Sequence, residues 1–182
     1  MVSDETLLLQ FQAGSRAALE ELFARFRNPV YGFFRRRLSN ISRAEDLTQE
    51  TFLAVVRGGV RYEPRASVRA YLYGIAFRIL LAERRKQGKD NNSNVDDEEP
   101  WIHHATDTAL WVREALAKLD ANDREILMLR EYEQLSYEEI AGLLRLPLNT
   151  VRSRLFRSRM ALKQYLDPQE GKSVIDRGET CR

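Results

Sequence analysis

A cationic stretch near the end of the chain has residue types that bind DNA. Residues 149–163 contain five Lys or Arg and no Asp or Glu. Arg pairs with phosphates and guanine edges, and short polar side chains hydrogen-bond to bases or to the sugar-phosphate backbone. At helical spacing, the outward side of this stretch would carry Thr150, Arg152, Ser153, Arg154 and Arg157.

Two short helices are predicted to present this stretch. Ser136 and Glu139 form a capping box, Pro147 cannot continue the helix that they open, and Asn149 is predicted to cap a second helix. The pattern is typical of a helix-turn-helix whose last helix reads DNA, although a solvated basic face on an ordinary helical hairpin remains an alternative. The inward positions of the two helices are Tyr137, Ile140, Ala141, Leu144, Val151, Leu155, Ser158 and Leu162.

A second basic region follows two glycines in the first half of the chain. The loop 58–66 mixes cations with an aromatic ring, which suits an unstacked base and its phosphates. Ser67 then caps a predicted helix over residues 68–86, whose apolar positions have core spacing. The candidate contacts of this single-strand platform are Arg61, Tyr62, Arg65, Arg69, Tyr73 and Arg78.

An acidic ridge precedes that loop. Ser42 and Glu45 predict the start of a helix that runs to about Arg57, with Ala44, Leu47, Phe52, Val55 and Val56 on one broad apolar side. The residues of the acidic ridge lie on another side of this helix, at the helical spacing i, i+3, i+4 and i+7. It is either solvated surface or a docking face for a protein, because one apolar anchor ringed by polar groups is a common small interface. Its members are Asp46, Gln49, Glu50 and Leu53.

Helices predicted in the rest of the chain would supply the cores beneath these surfaces. Residues 5–38 read as two helices that are broken near Gly14 and Ser15, and the second carries an apolar stripe from Leu19 to Phe33. From Leu110 another pair of helices begins, and Asp120 is predicted to cap the second of them. The core residues predicted for that second helix are Ile126, Leu127, Leu129 and Tyr132.

Charge is segregated along the chain, although the net charge is only +2. Residues 1–86 hold 15 Lys and Arg against 9 Asp and Glu, whereas residues 87–109 hold 1 against 6. We therefore expect an all-α protein with two small helical domains, at 1–86 and 110–166, joined by a flexible acidic linker at 87–109. Residues 167–182 read as a polar tail.

Several classes of protein are disfavoured by the sequence. It shows no signal peptide and no apolar run of membrane-spanning length, so we expect a cytoplasmic protein with no membrane insertion. Cys181 is the single cysteine, which excludes an internal disulfide. We see no Gly-rich phosphate loop and no nucleophile beside a base, and we expect no catalysis, no cofactor and no metal.

The order of these segments resembles a bacterial RNA polymerase sigma factor of the sigma-70 family, in the extracytoplasmic function (ECF) group. AEDLTQETFLAV (44–55) is similar to region 2.2 of that family, and RASVRAYLYGIAFRILLAERRK (65–86) resembles region 2.4. The stretch from LAKLDANDREIL to the end of SRMALKQYL (116–166) resembles region 4. The resemblance covers residues 5–166.

The resemblance implies a function for each surface. Asp46, Gln49, Glu50 and Leu53 would dock on the clamp helices of the polymerase β′ subunit, with the β flap as a further contact. The loop at 58–66 would hold a flipped base of the −10 promoter element, and the helix-turn-helix would read the −35 element. There, Asn149, Thr150, Arg152 and Ser153 would meet base edges, whereas Arg154, Arg157 and Arg159 would neutralise phosphates.

The resemblance also implies partners and leaves one rival. An alternative-type sigma factor works with core RNA polymerase and promoter DNA to start transcription, and an anti-sigma factor commonly holds it inactive. The runner-up is a stand-alone helix-turn-helix transcriptional regulator. That class would require a dimer interface, and we find no leftover apolar stripe or heptad repeat that would form one.

Overall fold

The computed structural model describes residues 2–58, 62, 66–89 and 107–166. Within these ranges every regular element is an α-helix, which confirms the predicted all-α class. The chain forms two compact units, an N-terminal unit at residues 1–102 and a C-terminal unit at residues 103–182. None of the described helices is long and apolar enough to cross a membrane.

The helices extend slightly into the segment predicted as a linker. The helix that begins at Val68 continues to Lys89 and the next described helix begins at Asp107, so both ends of the predicted 87–109 linker are helical. The rest of that segment and the predicted tail at 167–182 lie outside the described residues, as do His103, His104 and Cys181.

Four described helices build the N-terminal unit. They are α1 (Asp4–Gln12), α2 (Arg16–Arg35), α3 (Ile41–Gly58) and α4 (Val68–Lys89). Each packs against the next along the chain, and α1 also contacts α4. The predicted break between the first two helices is confirmed, since Gly14 has φ +97° and the Ser15 hydroxyl accepts the N–H of Ala18.

Aromatic side chains fill much of this core. Phe33 meets Phe34 edge to face, with ring centroids 5.2 Å apart, and Tyr73 of α4 lies 5.7 Å from Phe33. The apolar stripe predicted along α2 is buried at Leu22, Phe26, Val30 and Phe33. The stripe therefore forms the core of the N-terminal unit, as its spacing predicted.

Two details predicted for this unit are wrong. Helix α3 is capped by Asn40, two residues before the predicted cap at Ser42, because the side-chain oxygen of Asn40 accepts the N–H of Arg43 at 2.9 Å. Tyr73 was expected on the outer side of α4, yet it is 1% exposed, and Phe77 one turn later is 7% exposed. Helix α4 is buried over a broad arc because it packs on α1, α2 and α3 together.

Four described helices also build the C-terminal unit. They are α5 (Asp107–Ala117), α6 (Ala121–Glu131), α7 (Tyr137–Leu144) and α8 (Leu148–Leu166). The Asp120 cap of α6 is confirmed, and both halves of the Ser136–Glu139 capping box are present. Arg145 caps the C-terminus of α7, and its left-handed backbone (φ +54°) turns the chain toward α8.

The buried side of α8 has the predicted register. Val151, Leu155 and Ser158 are at most 1% exposed. The predicted cap at Asn149 is wrong, since α8 begins at Leu148 and the carbonyl of Pro147 accepts the N–H of Thr150 at 2.9 Å. A proline just before the helix sets its start, because its fixed φ favours the first turn.

The core predicted for α6 is mostly correct. Ile126, Leu127 and Leu129 are buried, but Tyr132 is 45% exposed. The reason is that Tyr132 lies at the C-terminal cap of α6, where the chain leaves the helix.

Two adjacent positions on α8, one buried and one exposed, test which side of this helix faces the core. We expect Leu155→Ala to lower the free energy of unfolding of the C-terminal unit by about 3 kcal/mol, because it leaves a cavity in the core. Phe156 is 66% exposed, so Phe156→Ala should change that quantity by less than about 0.5 kcal/mol. Hydrogen exchange of the α8 amides in the full chain measures both, and equal losses of protection would contradict the register.

Candidate protein and nucleic-acid interfaces

The acidic ridge lies on the surface of α3. All four of its residues are exposed. The exposed fractions are 59% for the Asp46 side chain, 49% for the Glu50 side chain and 51% for Leu53. Leu47, Thr51 and Phe52 on the opposite side are buried. The ridge therefore has the geometry of a docking face, with one apolar side chain among carboxylate and amide groups.

Arg43 connects this ridge to α4. Its Nε and Nη2 donate to the two carboxylate oxygens of Glu83 at 2.8 and 2.7 Å. Its Nη1 lies 3.6 Å from Asp46 and 3.5 Å from Glu50. One guanidinium thus contacts two ridge acids while it joins the helix of the ridge to the helix of the predicted nucleic-acid platform.

The ion pair shifts the titration of both partners. The hydrogen bonds from Arg43 lower the pKa of Glu83, and this effect outweighs burial, which acts in the opposite direction. The pKa of Arg43 is raised, above all by its hydrogen bonds to Glu83. Glu83 is only 7% exposed, so its charge depends on this partner.

Two exposed apolar residues near the ridge were missed by sequence reasoning. Val56 lies one turn after Leu53 on α3 and is 43% exposed, and Phe23 of α2 is 41% exposed. The ring of Phe23 meets that of Phe52 edge to face at 4.8 Å. Both were assigned to the core because apolar residues at helical spacing usually are buried, so their type alone could not reveal this surface.

The predicted base-holding loop is only partly described. Arg61 and Arg65 lie outside the described residues. The Tyr62 ring, expected to grip a base, is instead 7% exposed and packs on Tyr71, with centroids 5.2 Å apart. Its hydroxyl donates to the carbonyl of Ala66 at 2.6 Å, and burial raises its pKa. Tyr62 is therefore a packed residue of the N-terminal unit and not an exposed ring.

Helix α4 presents fewer of the predicted contacts than expected. Arg78 is exposed, and its Nε donates to the carbonyl of Gly74. The guanidinium of Arg69 lies 5.8 Å from the ring centroid of Phe26, which holds it along α2. Tyr73 is buried against Phe33, so only the two arginines among the predicted α4 contacts lie at the surface.

The outward side of α8 is polar, cationic and centred on one aromatic ring. Asn149, Arg152, Ser153 and Arg157 are exposed, and Thr150 is half-buried, with its carbonyl accepting from the Ser153 hydroxyl at 3.1 Å. Phe156 stands among them and was missed by sequence reasoning. The signal that could have found it is its position one turn after Arg152 on the same helical side.

Acidic residues of α6 form ion pairs with two of the arginines that were predicted to contact phosphates. The guanidinium of Arg159 donates to Glu131 at 2.6 and 3.1 Å and to the Tyr137 hydroxyl at 3.3 Å. These hydrogen bonds raise the pKa of Arg159. Arg154 lies 3.6 Å from Asp123. By contrast, no ion pair within the described part of the chain involves Arg152 or Arg157.

Protein-family models match both units. The model described as "Sigma-70 region 2" matches residues 22–90, and "Sigma-70, region 4" matches residues 109–162. The first match covers α3 and α4 with their ridge, and the second covers the helix-turn-helix.

Whole-chain relatives agree with these matches. The RNA polymerase sigma factor CarQ of Myxococcus xanthus is 32% identical over 174 residues, covering 88% of this chain and 96% of the relative. The ECF RNA polymerase sigma factor SigC of Mycobacterium tuberculosis is 30% identical, covering 90% and 91%. Among solved structures, the sigma factor RpoE of Bartonella quintana, in complex with the anti-sigma factor NepR, has a TM-score of 0.71 and 25% identity, covering 82% and 97%.

The chain belongs to the ECF group of the sigma-70 family of RNA polymerase sigma factors. It is therefore an alternative sigma factor rather than a stand-alone helix-turn-helix regulator, and the family consists of transcription initiation factors.

The Arg43–Glu83 pair leads to a pH-dependent prediction. We expect Arg43→Gln to lower the free energy of unfolding by about 2 kcal/mol at pH 7, less than for a fully buried pair because Arg43 is partly exposed. The folded-state pKa of Glu83 lies below its ordinary value of 4.5, so the pair stabilises the fold above that pH. The difference from wild type should shrink as the pH falls below about 4.5 and Glu83 is protonated.

Urea unfolding followed by circular dichroism at several pH values measures this difference. Arg57→Gln is the matched control, because Arg57 is exposed on the same helix and has no ion pair among the described residues. A difference that stays constant down to pH 3 would contradict the assignment of the charge to Glu83.

Proposed function

We propose that this sigma factor binds core RNA polymerase through the α3 ridge and directs it to promoters whose −35 and −10 elements contact α8 and the α4 region. The exposure of all four ridge residues on a well-packed helix is the observation that carries this proposal. A factor that works on promoter DNA in a bacterium acts in the cytoplasm, which is the location that we propose.

The ridge suits a helical protein surface. Leu53 supplies the apolar anchor, and Asp46, Gln49 and Glu50 supply a polar rim that excludes water and sets orientation. The partner on this side is the pair of β′ clamp helices, and Val56 extends the apolar contact by one turn. The β flap is the partner of the C-terminal unit.

Helix α8 reads the −35 element in the major groove. Arg152 and Asn149 can pair with guanine and adenine edges, and Thr150 and Ser153 accept or donate to either strand. The exposed ring of Phe156 adds a contact of a different kind, because thymine presents a methyl group in the same groove. Arg157 neutralises a phosphate directly.

Arg154 and Arg159 can contact DNA phosphates only if they give up ion pairs within the protein. Each already pairs with an acid of α6, so a DNA phosphate must compete with Asp123 or Glu131. A recognition helix weakened in this way binds DNA poorly until polymerase delivers it to the promoter. This behaviour fits a subunit that should not occupy promoters alone.

The loop at 58–66 holds an unpaired base of the −10 element. Arg61 and Arg65 supply its cations, and Arg69 and Arg78 contact the backbone of the opened strand. The ring of Tyr62 packs on Tyr71 and is not assigned to stacking on the base. We assign no DNA contact to Tyr73, because its ring is 1% exposed.

An anti-sigma factor is the further partner that we propose. The Bartonella quintana relative was solved with such a protein, and that complex supports the same kind of control here. A partner that covers the α3 ridge, or the core of the C-terminal unit, would prevent assembly with polymerase.

Reconstitution with core polymerase tests the docking proposal. Wild-type protein should direct specific run-off transcripts, whereas Leu53→Ser should weaken core binding about 30-fold, the loss expected for a central anchor. Glu50→Gln should weaken it in the same direction. Core binding is measured by fluorescence anisotropy of labelled sigma factor.

The matched control for docking is Leu9→Ser. Leu9 is 45% exposed on α1, close to the 51% of Leu53, so it tests whether loss of any surface leucine has the same effect. Normal core binding by Leu53→Ser, or an equal loss with Leu9→Ser, would refute the docking assignment.

The salt dependence of promoter binding should differ between variants of Arg157, which has no ion pair among the described residues, and Arg159, which pairs with Glu131. In the holoenzyme, Arg157→Ala should reduce the slope of log affinity against log salt by about 1, as expected for one phosphate contact. Arg159→Ala should reduce it less, because Glu131 already neutralises that charge. Glu131→Gln should strengthen binding and steepen the slope, and identical slopes for the two arginine variants would rule out this role of Glu131.

A further inference from the structure

Arg43 lies on the same side of α3 as the acidic ridge. It precedes Asp46 by three residues, Glu50 by seven and Leu53 by ten, and these spacings return to one side of a helix. The side chain of Arg43 is 29% exposed, so its guanidinium reaches the surface that the ridge forms. The docking face therefore contains a cation beside its acids.

Glu83 of α4 fixes the direction of the Arg43 guanidinium. The Nε and Nη2 atoms of Arg43 donate to the two carboxylate oxygens of Glu83 at 2.8 and 2.7 Å. This bidentate geometry leaves the planar guanidinium little rotational freedom. The side chain of Glu83 is only 9% exposed and also accepts from Gln87 at 3.4 Å, so it is held in turn on α4. The remaining nitrogen, Nη1, is therefore directed at the ridge from a fixed point.

The Nη1 atom of Arg43 meets two ridge carboxylates that repel each other. Asp46 and Glu50 are at positions i and i+4, where like charges destabilise a helix. Nη1 lies 3.6 Å from Asp46 and 3.5 Å from Glu50. The hydrogen bonds to Glu83 raise the pKa of Arg43 most, and the charges of Glu50 and Asp46 raise it further. One cation thus draws both exposed carboxylates toward a single point.

The charge of Arg43 leaves the ridge attractive to a basic partner. One cation and three carboxylates give the group of Arg43, Asp46, Glu50 and Glu83 a formal charge of −2. Because Arg43 and Glu83 neutralise each other, a distant cation meets this pair mainly as a dipole, whereas Nη1 acts on the two ridge carboxylates at close range. The main consequence of Arg43 is therefore the orientation of the ridge side chains.

We propose that Arg43 is a positioning residue for docking, which holds the carboxylates of Asp46 and Glu50 in the arrangement that a basic partner surface meets. This inference rests on the proposed function of the ridge in binding core polymerase. Exposed acidic side chains lose rotamer freedom when a partner fixes them, and side chains that are oriented beforehand lose less. Arg43 thereby strengthens docking through its two ridge neighbours.

A charge-neutral double variant tests this role. Arg43→Gln alone leaves the carboxylate of Glu83 buried without its partner, and the lost stability would obscure the effect on binding. Combining Arg43→Gln with Glu83→Gln removes one charge of each sign, so the formal charge of the group is unchanged and no unpaired carboxylate is buried. Core polymerase binding, measured by fluorescence anisotropy of the labelled full chain, should weaken about fivefold, because two side chains must then be ordered on binding.

The coupling between Arg43 and Glu50 is a readout that a merely structural role would not change. Glu50→Gln should weaken core binding by a factor about two times smaller in the double variant than in wild type, because the carboxylate is no longer oriented there. Leu53→Ser should cost the same factor in both backgrounds. Equal losses with Glu50→Gln in both backgrounds would overturn the proposal, as would losses with Glu50→Gln and Leu53→Ser that shrink alike.

Arg25→Gln combined with Asp4→Asn is the matched control. Arg25 of α2 donates to Asp4 of α1 at 2.7 Å, so this pair also joins two helices and its removal is also charge-neutral. Neither residue belongs to the ridge, and core binding should stay at the wild-type value. A loss equal to that of the Arg43 and Glu83 double variant would refute a specific role of Arg43.

Leu53→Ser separates this inference from the docking proposal on which it rests. If Leu53→Ser binds core polymerase normally, the ridge is not the docking face and both proposals fail. If Leu53→Ser weakens binding while the Arg43 and Glu83 double variant binds as wild type does, only the positioning role of Arg43 is overturned.

Discussion

The exposed surfaces of this protein are set by which side of each helix is buried. Both units are small, and successive side chains on a helix are 100° apart, so a buried row determines the residues that face outward. Burial of Val151 and Leu155 leaves Arg152 and Phe156 exposed on the other side of α8. The same constraint on α3 buries Phe52 and exposes Leu53.

Ion pairs between helices then decide which charges on those surfaces are available. Arg43 forms an ion pair with Glu83 on α4, and Arg159 forms an ion pair with Glu131 on α6. Such pairs carry little net stability when exposed, yet they neutralise charges that a ligand would otherwise meet. The number of cations in a helix therefore overstates its attraction for DNA, and α8 is the example here.

Much of the local structure could be predicted from sequence. The breaks at Gly14 and Pro147, the caps at Ser15 and Asp120, and the capping box at Ser136 depend on neighbours within four residues, so the sequence contains what decides them. The starts of α3 and α8 were each placed two residues late, because Asn40 and Pro147 competed with an equally plausible cap nearby.

The sequence by itself determined the helical class, the main buried rows of α2, α3 and α8 and the family resemblance, because periodicity and capping are local properties. Only the tertiary structure decided that Tyr62 and Tyr73 are buried and that Gln12 and Glu5 of α1 hydrogen-bond to the backbone of Tyr62 and Val68. These facts depend on residues up to 63 positions apart. No pattern along one helix specifies which distant backbone group its polar side chains will meet, since packing against three neighbouring helices selects it.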